Sequence, residues 1–511
     1  MAVGYASPGV YVEEVDRGTK PIEAAGTSIA AFIGITAEAS TKAIDPSTGD
    51  RVAVESRLNK ATLVTSWTQF TDIFGGFTDG AYLPDAVYGY FANGGGACYV
   101  TSLRALNEST GDVATASATI PAVGRGSAFK VEAKTAGPAG NNLSIIIKTD
   151  EEKGTFSMTV GKQTKSGLTA NKEDDNYIGK AEFDAVNITG TGTNMPADGT
   201  YQLSGGGMQP LTAADFIGDP AARTGMGGLE AIDEVSLVLC PDVMAGYDGS
   251  DAAKERVKAV QTAMIAHCEN MRYRFAVLDT PPGLNAQQAK EWRDYVNFDS
   301  AYAAMYYPWI EVADLSGSGK TSKLVPPSGH VVGIYNRTDT QRGVHKAPAN
   351  EVVLGAIDLE LKLSKGEQDT LNPIGINCIR SFPGRGIRVW GARTLSSNGS
   401  WRYINVRRLF NMVGSSLDTG LQWVVFEPND STLWAKVRRD VTAFLRVVWR
   451  SGALFGTTPD QAFYVKCDEE LNPSEIRDLG QLIIEVGLAP VKPAEFVIIR
   501  LSQWAGANAE A

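Results

Sequence analysis

The chain has 511 residues, which corresponds to roughly three domains of the usual size and is long enough to bury a sizeable core. Hydrophobic residues make up 43% of it and charged residues 21%, as in an ordinary soluble globular protein. The formal net charge of −11 disfavours a nucleic-acid-binding protein, because such proteins usually present a basic surface.

The sequence shows no targeting segment. No stretch is long and apolar enough to span a bilayer, and the first residues lack the basic and apolar parts of a secretory signal. We therefore expect assembly in the cytoplasm and no direct membrane insertion. The five cysteines stand far apart without a CxxC pair, which predicts reduced thiols and no disulfide framework, metal site or other cofactor.

Residues 1–20 are predicted to form an extended arm. A Pro-Gly pair at positions 8 and 9 disfavours a helix, and the β-branched and aromatic run that follows favours a strand. So short a segment cannot bury its own apolar side chains, so it needs a partner; a frayed chain end is the alternative. The strand residues are Val10, Tyr11 and Val12.

Residues 27–230 divide into two regions of different character. The first, up to residue 104, mixes apolar runs with helical stretches, and the second helical stretch ends at Asn93 and three glycines. The second, from 105 to 230, is rich in Thr, Ser, Gly and Asn and is predicted to be a β-rich module with many turns. In the first region the predicted strands lie at 29–35 and 98–100, and the predicted helices at 66–74 and 81–92.

Strand and helix patterns alternate from residue 231. A strand-helix-strand-helix-strand order predicts a parallel sheet with right-handed crossovers. The predicted strands lie at 235–239, 275–278 and 303–312, and the predicted helices at 251–270 and 286–296.

The last third of the chain is denser in aromatic residues and arginine. Its apolar periodicity predicts helices at 328–337, near 350–354, at 405–417 and at 431–450. After two prolines the chain ends on a strand-like apolar run made of Phe496, Val497, Ile498 and Ile499.

The segment Asp314-Leu-Ser-Gly-Ser-Gly-Lys-Thr321 is similar to a phosphate-binding loop. Asp314 stands where that motif requires glycine, and its carboxylate would repel phosphate. Prolines at 326 and 327 interrupt the helix that should follow. The segment is therefore predicted to be a flexible surface loop.

A hydrolytic site is also disfavoured, and we predict no catalytic residue. The sequence has three histidines and neither GxSxG nor HExxH at any of them. His267 falls on the apolar stripe of a predicted helix, and His345 lies in a polar loop. His330 follows Ser328 by two residues, a spacing at which two side chains do not face each other on a helix.

The predicted helix at 431–450 has two distinct faces. Apolar residues from Leu433 onwards share one face, and basic residues occupy the opposite one. On a net acidic chain such a stripe suggests docking on an acidic surface, but the charge pattern alone favours a solvated helix face with local ion pairs. The stripe consists of Lys436, Arg439, Arg446 and Arg450.

Several segments of the chain resemble the contractile tail sheath family. The resemblance covers residues 1–104 and 231–511 well, and 105–230 weakly. The segments are Ser7-Pro-Gly-Val-Tyr-Val-Glu-Glu14, Gly391-Ala-Arg-Thr-Leu395, Trp401-Arg-Tyr-Ile-Asn-Val-Arg-Arg-Leu409, Val425-Phe-Glu-Pro-Asn-Asp430, Ala462-Phe-Tyr-Val-Lys-Cys-Asp468 and Val491-Lys-Pro-Ala-Glu-Phe496.

The resemblance implies a multi-domain α/β and α+β fold. Its core would be a subtilisin-like parallel sheet without a catalytic triad, accompanied by a β-rich outer insertion module and an α+β C-terminal domain with exchanged terminal strands. The expected limits are 1–25 for the N-terminal arm, 26–104 with 231–385 for the α/β domain, 105–230 for the module, 386–490 for the tube-facing C-terminal domain and 491–511 for the C-terminal arm.

The resemblance also implies a structural, non-enzymatic role. Subunits would stack as hexameric rings around an inner tube and contract to drive that tube through a target envelope. The expected partners are neighbouring sheath subunits, the inner tube protein, and baseplate and terminator or cap proteins, with no nucleic acid. The particle would be a phage tail, an R-type bacteriocin or an extracellular injection system, assembled in the cytoplasm and open to release outside the cell.

Two functions of other classes stay open on the residues alone. A subtilisin-like hydrolase would need a Ser/His/Asp geometry. A surface-layer or adhesin subunit, suggested by the Thr- and Gly-rich module, would need an export signal.

Overall fold

The computed structural model describes residues 21–45, 51–107, 113–124, 126–134, 138–150, 152–190, 194–208, 211–316 and 320–500. The predicted strand at Val10, Tyr11 and Val12 lies outside these ranges, as do residues 317–319 of the predicted surface loop. Across the described ranges, no helix has the length and apolar character needed to cross a membrane.

The first part of the chain contains the two helices and two strands that its sequence predicts. The first helix starts where the Ser66 side chain accepts a hydrogen bond from the backbone N–H of Gln69, which satisfies an otherwise unpaired donor. The elements are β1 (Ala30–Thr36), β2 (Ser40–Ile44), β3 (Arg51–Ser56), β4 (Thr62–Val64), α1 (Trp67–Phe74), α2 (Leu83–Ala92) and β5 (Cys98–Ala105).

The module that follows consists of short antiparallel strands around its own hydrophobic core. Alternate residues such as Phe156, Met158 and Val160 point into that core, which is the period expected of a strand with one buried face. The strands are β6 (Val113–Ala114), β7 (Ser117–Pro121), β8 (Ser127–Ala133), β9 (Ser144–Asp150), β10 (Thr155–Val160), β11 (Gln163–Leu168), β12 (Val186–Thr189), β13 (Gly199–Gln202) and β14 (Gly207–Met208).

The middle of the chain alternates strands and helices, as predicted. Its second long helix is closed at the start by a reciprocal hydrogen-bond pair between Asn285 and Gln288. The elements are α3 (Ala213–Ile217), β15 (Leu237–Leu239), α4 (Asp251–Met271), β16 (Phe275–Asp279), α5 (Ala286–Val296), β17 (Ala303–Tyr307), β18 (Ile310–Ala313), β19 (Ser322–Val325), α6 (Ser328–Arg342), β20 (Glu351–Val352), β21 (Ala356–Leu359), α7 (Lys365–Leu371), β22 (Ile376–Phe382) and β23 (Gly386–Val389).

One large sheet organises this part, in the order β20-β23-β22-β17-β16-β15-β1-β5-β4. The strands from β22 to β5 run parallel, and the outer pairs at both ends are antiparallel. Ala31 and Ile33 of β1 face the core that holds α4 and α5, whereas Ala30 and Phe32 face the core beneath α2 and α6. The predicted parallel sheet is therefore confirmed, with helices on both faces.

Two predictions in this region are wrong in detail. In place of a helix near 350–354, β20 pairs with β23 at the sheet edge. Asn350 has a φ of +61°, outside the helical range, and the β-branched residues after it favour a strand. The strand predicted at 303–312 is two strands in different sheets, because Pro308 lacks the N–H that a continuous strand would need.

The C-terminal part places a long helix under a pair of strands. The predicted helix at 431–450 is confirmed, and the Asp430 side chain caps it by accepting a hydrogen bond of 2.8 Å from the N–H of Leu433. The last two strands pair antiparallel and pack on its apolar face. The elements are α8 (Ile404–Gly420), α9 (Ser431–Arg450), α10 (Pro459–Ala462), β24 (Phe463–Lys466), α11 (Ser474–Asp478) and β25 (Glu485–Leu488).

Candidate functional site

The basic face of α9 is exposed along the whole helix. The apolar residues of the opposite face, from Leu433 to Val448, are buried in the C-terminal core. Arg439 forms an ion pair of 2.9 Å with the neighbouring Asp440, whereas the other three cations contact no carboxylate among the described residues. Three of the four positive charges of the stripe therefore have no neighbouring carboxylate to pair with in the described part of the chain. All four predicted residues face solvent, namely Lys436, Arg439, Arg446 and Arg450.

The outer edges of β24 and β25 pair with no third strand among the described residues. The other backbone contacts lie at the ends of the pair, where the Phe463 N–H bonds to Pro459 and Pro490 forms an isolated bridge with Leu454. The Tyr464 ring covers Gly487 on the outer face, and its hydroxyl donates a 2.5 Å hydrogen bond to Glu485. A two-stranded sheet is marginal by itself, and its unpaired N–H and C=O groups favour a further strand.

The C-terminal apolar run has no partner strand among the described residues. Phe496, Val497, Ile498 and Ile499 are 71–81% exposed and lie in no assigned strand. Four adjacent apolar side chains in water are costly, at about 25 cal/mol for each Å² of apolar area, so they favour burial against another surface.

The residue just before this run is held by four hydrogen bonds. Arg393 donates to both carboxylate oxygens of Glu495, through Nε and Nη2, at 2.8 Å each. Asn372 donates at 2.8 Å and the Tyr403 hydroxyl at 3.0 Å. Burial raises the pKa of Glu495, but these hydrogen bonds and the Arg393 charge outweigh it, so the pKa is lowered and the carboxylate stays ionised. We call this group the Glu495 clamp.

A second arginine–carboxylate group lies where the described chain begins. Arg408 forms a buried ion pair with Asp339 and donates a hydrogen bond of 2.8 Å to the carbonyl oxygen of Thr27. The Thr27 hydroxyl donates to Asp339 at 2.6 Å. The backbone that follows the N-terminal arm is therefore attached to both α6 and α8.

Ser328 and Asp279 are in contact inside the protein, and His330 is buried without a hydrogen bond to either. The backbone N–H of Ser328 donates a hydrogen bond of 2.9 Å to Asp279, and Ser328, His330 and Asp279 are all at most 3% exposed. Burial raises the pKa of Asp279 to about 7 and lowers that of His330 to about 4. A nucleophile enclosed in this way is out of reach of a substrate in solution.

The loop that is similar to a phosphate-binding loop joins two antiparallel strands. β18 pairs with β19, with Ala313 opposite Ser322. A phosphate-binding loop leads from a strand into a helix whose N-terminus faces the phosphate, and this geometry is different. Among the described residues, no group of His, Cys, Asp and Glu side chains is arranged to hold a metal ion.

The sequence patterns did not predict the two arginine–carboxylate groups. Glu495 stands in the segment Val491-Lys-Pro-Ala-Glu-Phe496, which resembles the sheath family, but no local pattern assigns it a role. An acidic residue directly before an exposed apolar run was the available signal. Its partners, however, stand about a hundred positions earlier in the chain, at separations of 102 for Arg393 and 92 for Tyr403.

Comparison with known sequences assigns most of the chain to one family. Residues 223–395 match the phage tail sheath protein central domain, and residues 396–503 match the phage tail sheath C-terminal domain. The tail sheath protein of Burkholderia phage BcepMu is 26% identical over 526 residues, which cover 97% of this chain and 96% of that protein. The tail sheath protein of Vibrio phage KVP40 is 25% identical over 333 residues, 59% of this chain but only 46% of that protein.

The fold has counterparts among solved structures. A chain in the anti-feeding prophage baseplate, described as 6-fold symmetrised, is 25% identical with a TM-score of 0.58, covering 98% of this chain and 99% of that one. The anti-feeding prophage helical sheath in its contracted state shares the fold, with a TM-score of 0.60 and 24% identity over 98% and 99% of the two chains.

The fold and these matches define a structural protein of the contractile kind found in phage tails and injection particles. The chain belongs to the contractile tail sheath family.

Proposed function

We propose that subunits of this chain stack as hexameric rings around an inner tube and contract to drive the tube through a target envelope. The observation that carries the proposal is that one subunit holds an exposed apolar run at 496–499 and a two-stranded sheet open at both edges. A polymer supplies each of these features with a partner. The 6-fold symmetry in the description of a related baseplate supports the ring.

The contacts between subunits would be exchanged terminal strands. An added strand bonds to a sheet edge through main-chain groups, and side chains on alternate positions set the register. Donor and acceptor surfaces are different, so the contact is heterologous and propagates from one subunit to the next. The donors would be Val10, Tyr11 and Val12 at one end and Phe496, Val497, Ile498 and Ile499 at the other.

The basic stripe of α9 would face the inner tube. Three of its cations lack a carboxylate partner in the described part of the subunit, which favours an acidic surface outside it. The contact residues would be Lys436, Arg439, Arg446 and Arg450.

Contraction would draw on packing alone. The extended sheath would be held by the tube, a baseplate below and a terminator or cap above, and release at the baseplate would let the rings rotate and pack more closely. Such a switch needs two arrangements of the same interfaces and spends no nucleotide. Assembly would take place in the cytoplasm, before any release of the particle.

The folded units would follow the expected limits with one adjustment. Residues 26–104 and 231–385 would form the subtilisin-like α/β domain, and 386–490 the tube-facing domain between the arms at 1–25 and 491–511. Leu211, Phe216 and Leu229 pack in the core of the large sheet, which favours adding 211–230 to the α/β domain. The outer module would then end near residue 208.

Deleting residues 1–20 tests the strand exchange directly. We expect soluble, folded protein that forms no tubes in negative-stain electron micrographs, because each ring loses its tether to the next. A matched control replaces Val10 and Val12 with isoleucine, which keeps the β-branched pattern and should assemble normally. Sheaths of ordinary length from the deletion variant would contradict the exchange.

An enzymatic role has its own test. A fluorophosphonate that labels activated serines should leave the native protein unlabelled, since Ser328 is enclosed. Stoichiometric labelling that is lost in Ser328→Ala would favour the subtilisin-like hydrolase instead.

A further inference from the structure

We propose that α8 is a strut, a rigid helix that holds the starts of both terminal arms at its opposite ends, and that Glu495 is the positioning residue for the C-terminal arm. We call residues 22–27 the N-terminal root and residues 491–495 the C-terminal root. The inference rests on the proposed strand exchange and adds to it a mechanical link within each subunit.

The N-terminal root runs along α8 from Arg408 to the C-terminal end of the helix. Thr27 accepts from Arg408, the backbone N–H of Ala25 donates 2.9 Å to the Ser416 hydroxyl, and Ile22 packs against Gly420. As the chain is followed back from residue 27 to 22, its contacts move from 408 to 420. The described chain therefore begins beside the C-terminal end of the helix, where the proposed N-terminal arm would depart.

The C-terminal root is attached at the other end. The Tyr403 hydroxyl donates to Glu495, and the Asn405 side chain donates 3.1 Å to the carbonyl oxygen of Val491. These residues stand at the start of α8 (Ile404–Gly420). At 1.5 Å per residue the helix separates the two departure points by about 25 Å.

The Glu495 clamp decides where the free run begins. It ties residue 495 to Asn372 and to Arg393, whose backbone is hydrogen-bonded to Asn377 of β22, only seven positions after β25 ends at Leu488. The run at 496–499 thus starts from the large sheet and not from the subunit's own strand pair. A neighbour that pulls on one arm would move α8, and with it the root of the other arm.

Glu495→Gln tests the clamp with almost no change in shape. Its amide group would set an N–H₂ against the donors of Arg393 or Asn372, so the root should loosen. With residues 1–20 deleted from both proteins to keep them unassembled, we expect the backbone amides of residues 491, 492, 494 and 495 to exchange hydrogen at least about tenfold faster in Glu495→Gln than in the chain with Glu495. In the full chain we expect few or short sheaths by negative-stain microscopy and sedimentation.

Glu475→Gln is the matched control, because it removes the same charge from the exposed surface of α11. It should exchange and assemble as the wild type does. Loss of assembly in both variants would attribute the effect to net charge and overturn the proposal.

The outcomes separate the strut from the strand exchange. If deletion of residues 1–20 abolishes sheaths while Glu495→Gln loosens the root and still assembles fully, the exchange stands and the strut is wrong. If the deletion variant assembles normally, the exchange itself fails. Should Glu495→Gln not fold, Tyr403→Phe and Asn372→Ala each remove one donor; assembly equal to wild type in both would also overturn the proposal.

Discussion

His330 shows how tightly single side chains are fitted beside the large sheet. Its ring lies against Gly89 of α2, where even a Cβ atom would collide with it. The ring nitrogen Nδ1 is buried without a hydrogen-bond partner among the described residues. A charged imidazole in this place would be poorly solvated, and burial accordingly lowers its pKa to about 4.

This histidine should make the subunit sensitive to acid. Because its folded pKa lies below the ordinary value of 6.5, the neutral form contributes stability above pH 6.5, and that contribution is lost as pH falls towards 4. We expect His330 to account for about 3 kcal/mol of the loss. Denaturant unfolding of wild type and His330→Asn at pH 7 and pH 4 measures it as the difference in pH dependence.

His345→Asn provides the comparison, since His345 is half-buried, and burial together with the Arg342 charge lowers its pKa as well. An equal pH dependence in wild type and His330→Asn would show that other groups cause the acid sensitivity.

The residues that hold the arms illustrate the limit of reasoning from sequence at this scale. The four cations of α9 could be predicted, because helical periodicity alone puts them on one face. Glu495 and Arg408 could not, because their roles depend on partners that only folding brings near: Asp339 stands 69 positions before Arg408, and Asn372 stands 123 before Glu495.

At the scale of elements, helices were predicted well where capping and periodicity agreed. Helix α9 begins after Asp430 and ends at Arg450, as its sequence indicates. The helix predicted near 350–354 was wrong because a short apolar run does not distinguish a strand from a helix. The sheet edge decided the outcome, through the hydrogen bond of 2.7 Å from the Asn350 N–H to the Val389 carbonyl oxygen.

Reversing the charge of α9 tests its role as a contact surface. The triple change Lys436→Glu, Arg439→Glu and Arg446→Glu should destabilise the extended sheath on its tube, since like charges would then face an acidic partner. The subunit itself should lose little stability, because exposed ion pairs are worth at most about 1 kcal/mol. The fraction of extended particles in electron micrographs measures the effect.

The control reverses three exposed lysines of the outer module, Lys148, Lys162 and Lys172. It makes the same change in net charge away from α9 and should leave extended particles intact. Unchanged extended particles in the α9 variant would favour a helix face that is merely solvated.

At the scale of the whole molecule, the β-rich module is a separate body of packing. Its hydrophobic core, around Phe129, Phe156 and Val186, shares no residue with the cores of the large sheet. Both of its ends join the chain next to the large sheet, after β5 and before α3. It can therefore be removed without opening another core.

Replacing residues 109–208 with a flexible linker of about ten Gly and Ser residues should preserve assembly. We expect sheaths of smaller outer diameter in electron micrographs, because the module is proposed to lie on the outer surface. A folded variant that fails to polymerise would show that the module joins subunits.

The sequence by itself determined most of the long helices, the parallel α/β core, the basic stripe and the family. These depend on local periodicity, capping and motifs, which are encoded within a few tens of residues. Only the tertiary structure decided that residues 22–27 and 491–495 are held against α8 and that Ser328 is enclosed. Both depend on contacts between residues far apart in the chain, and no local pattern records which distant side chain will pair with Glu495.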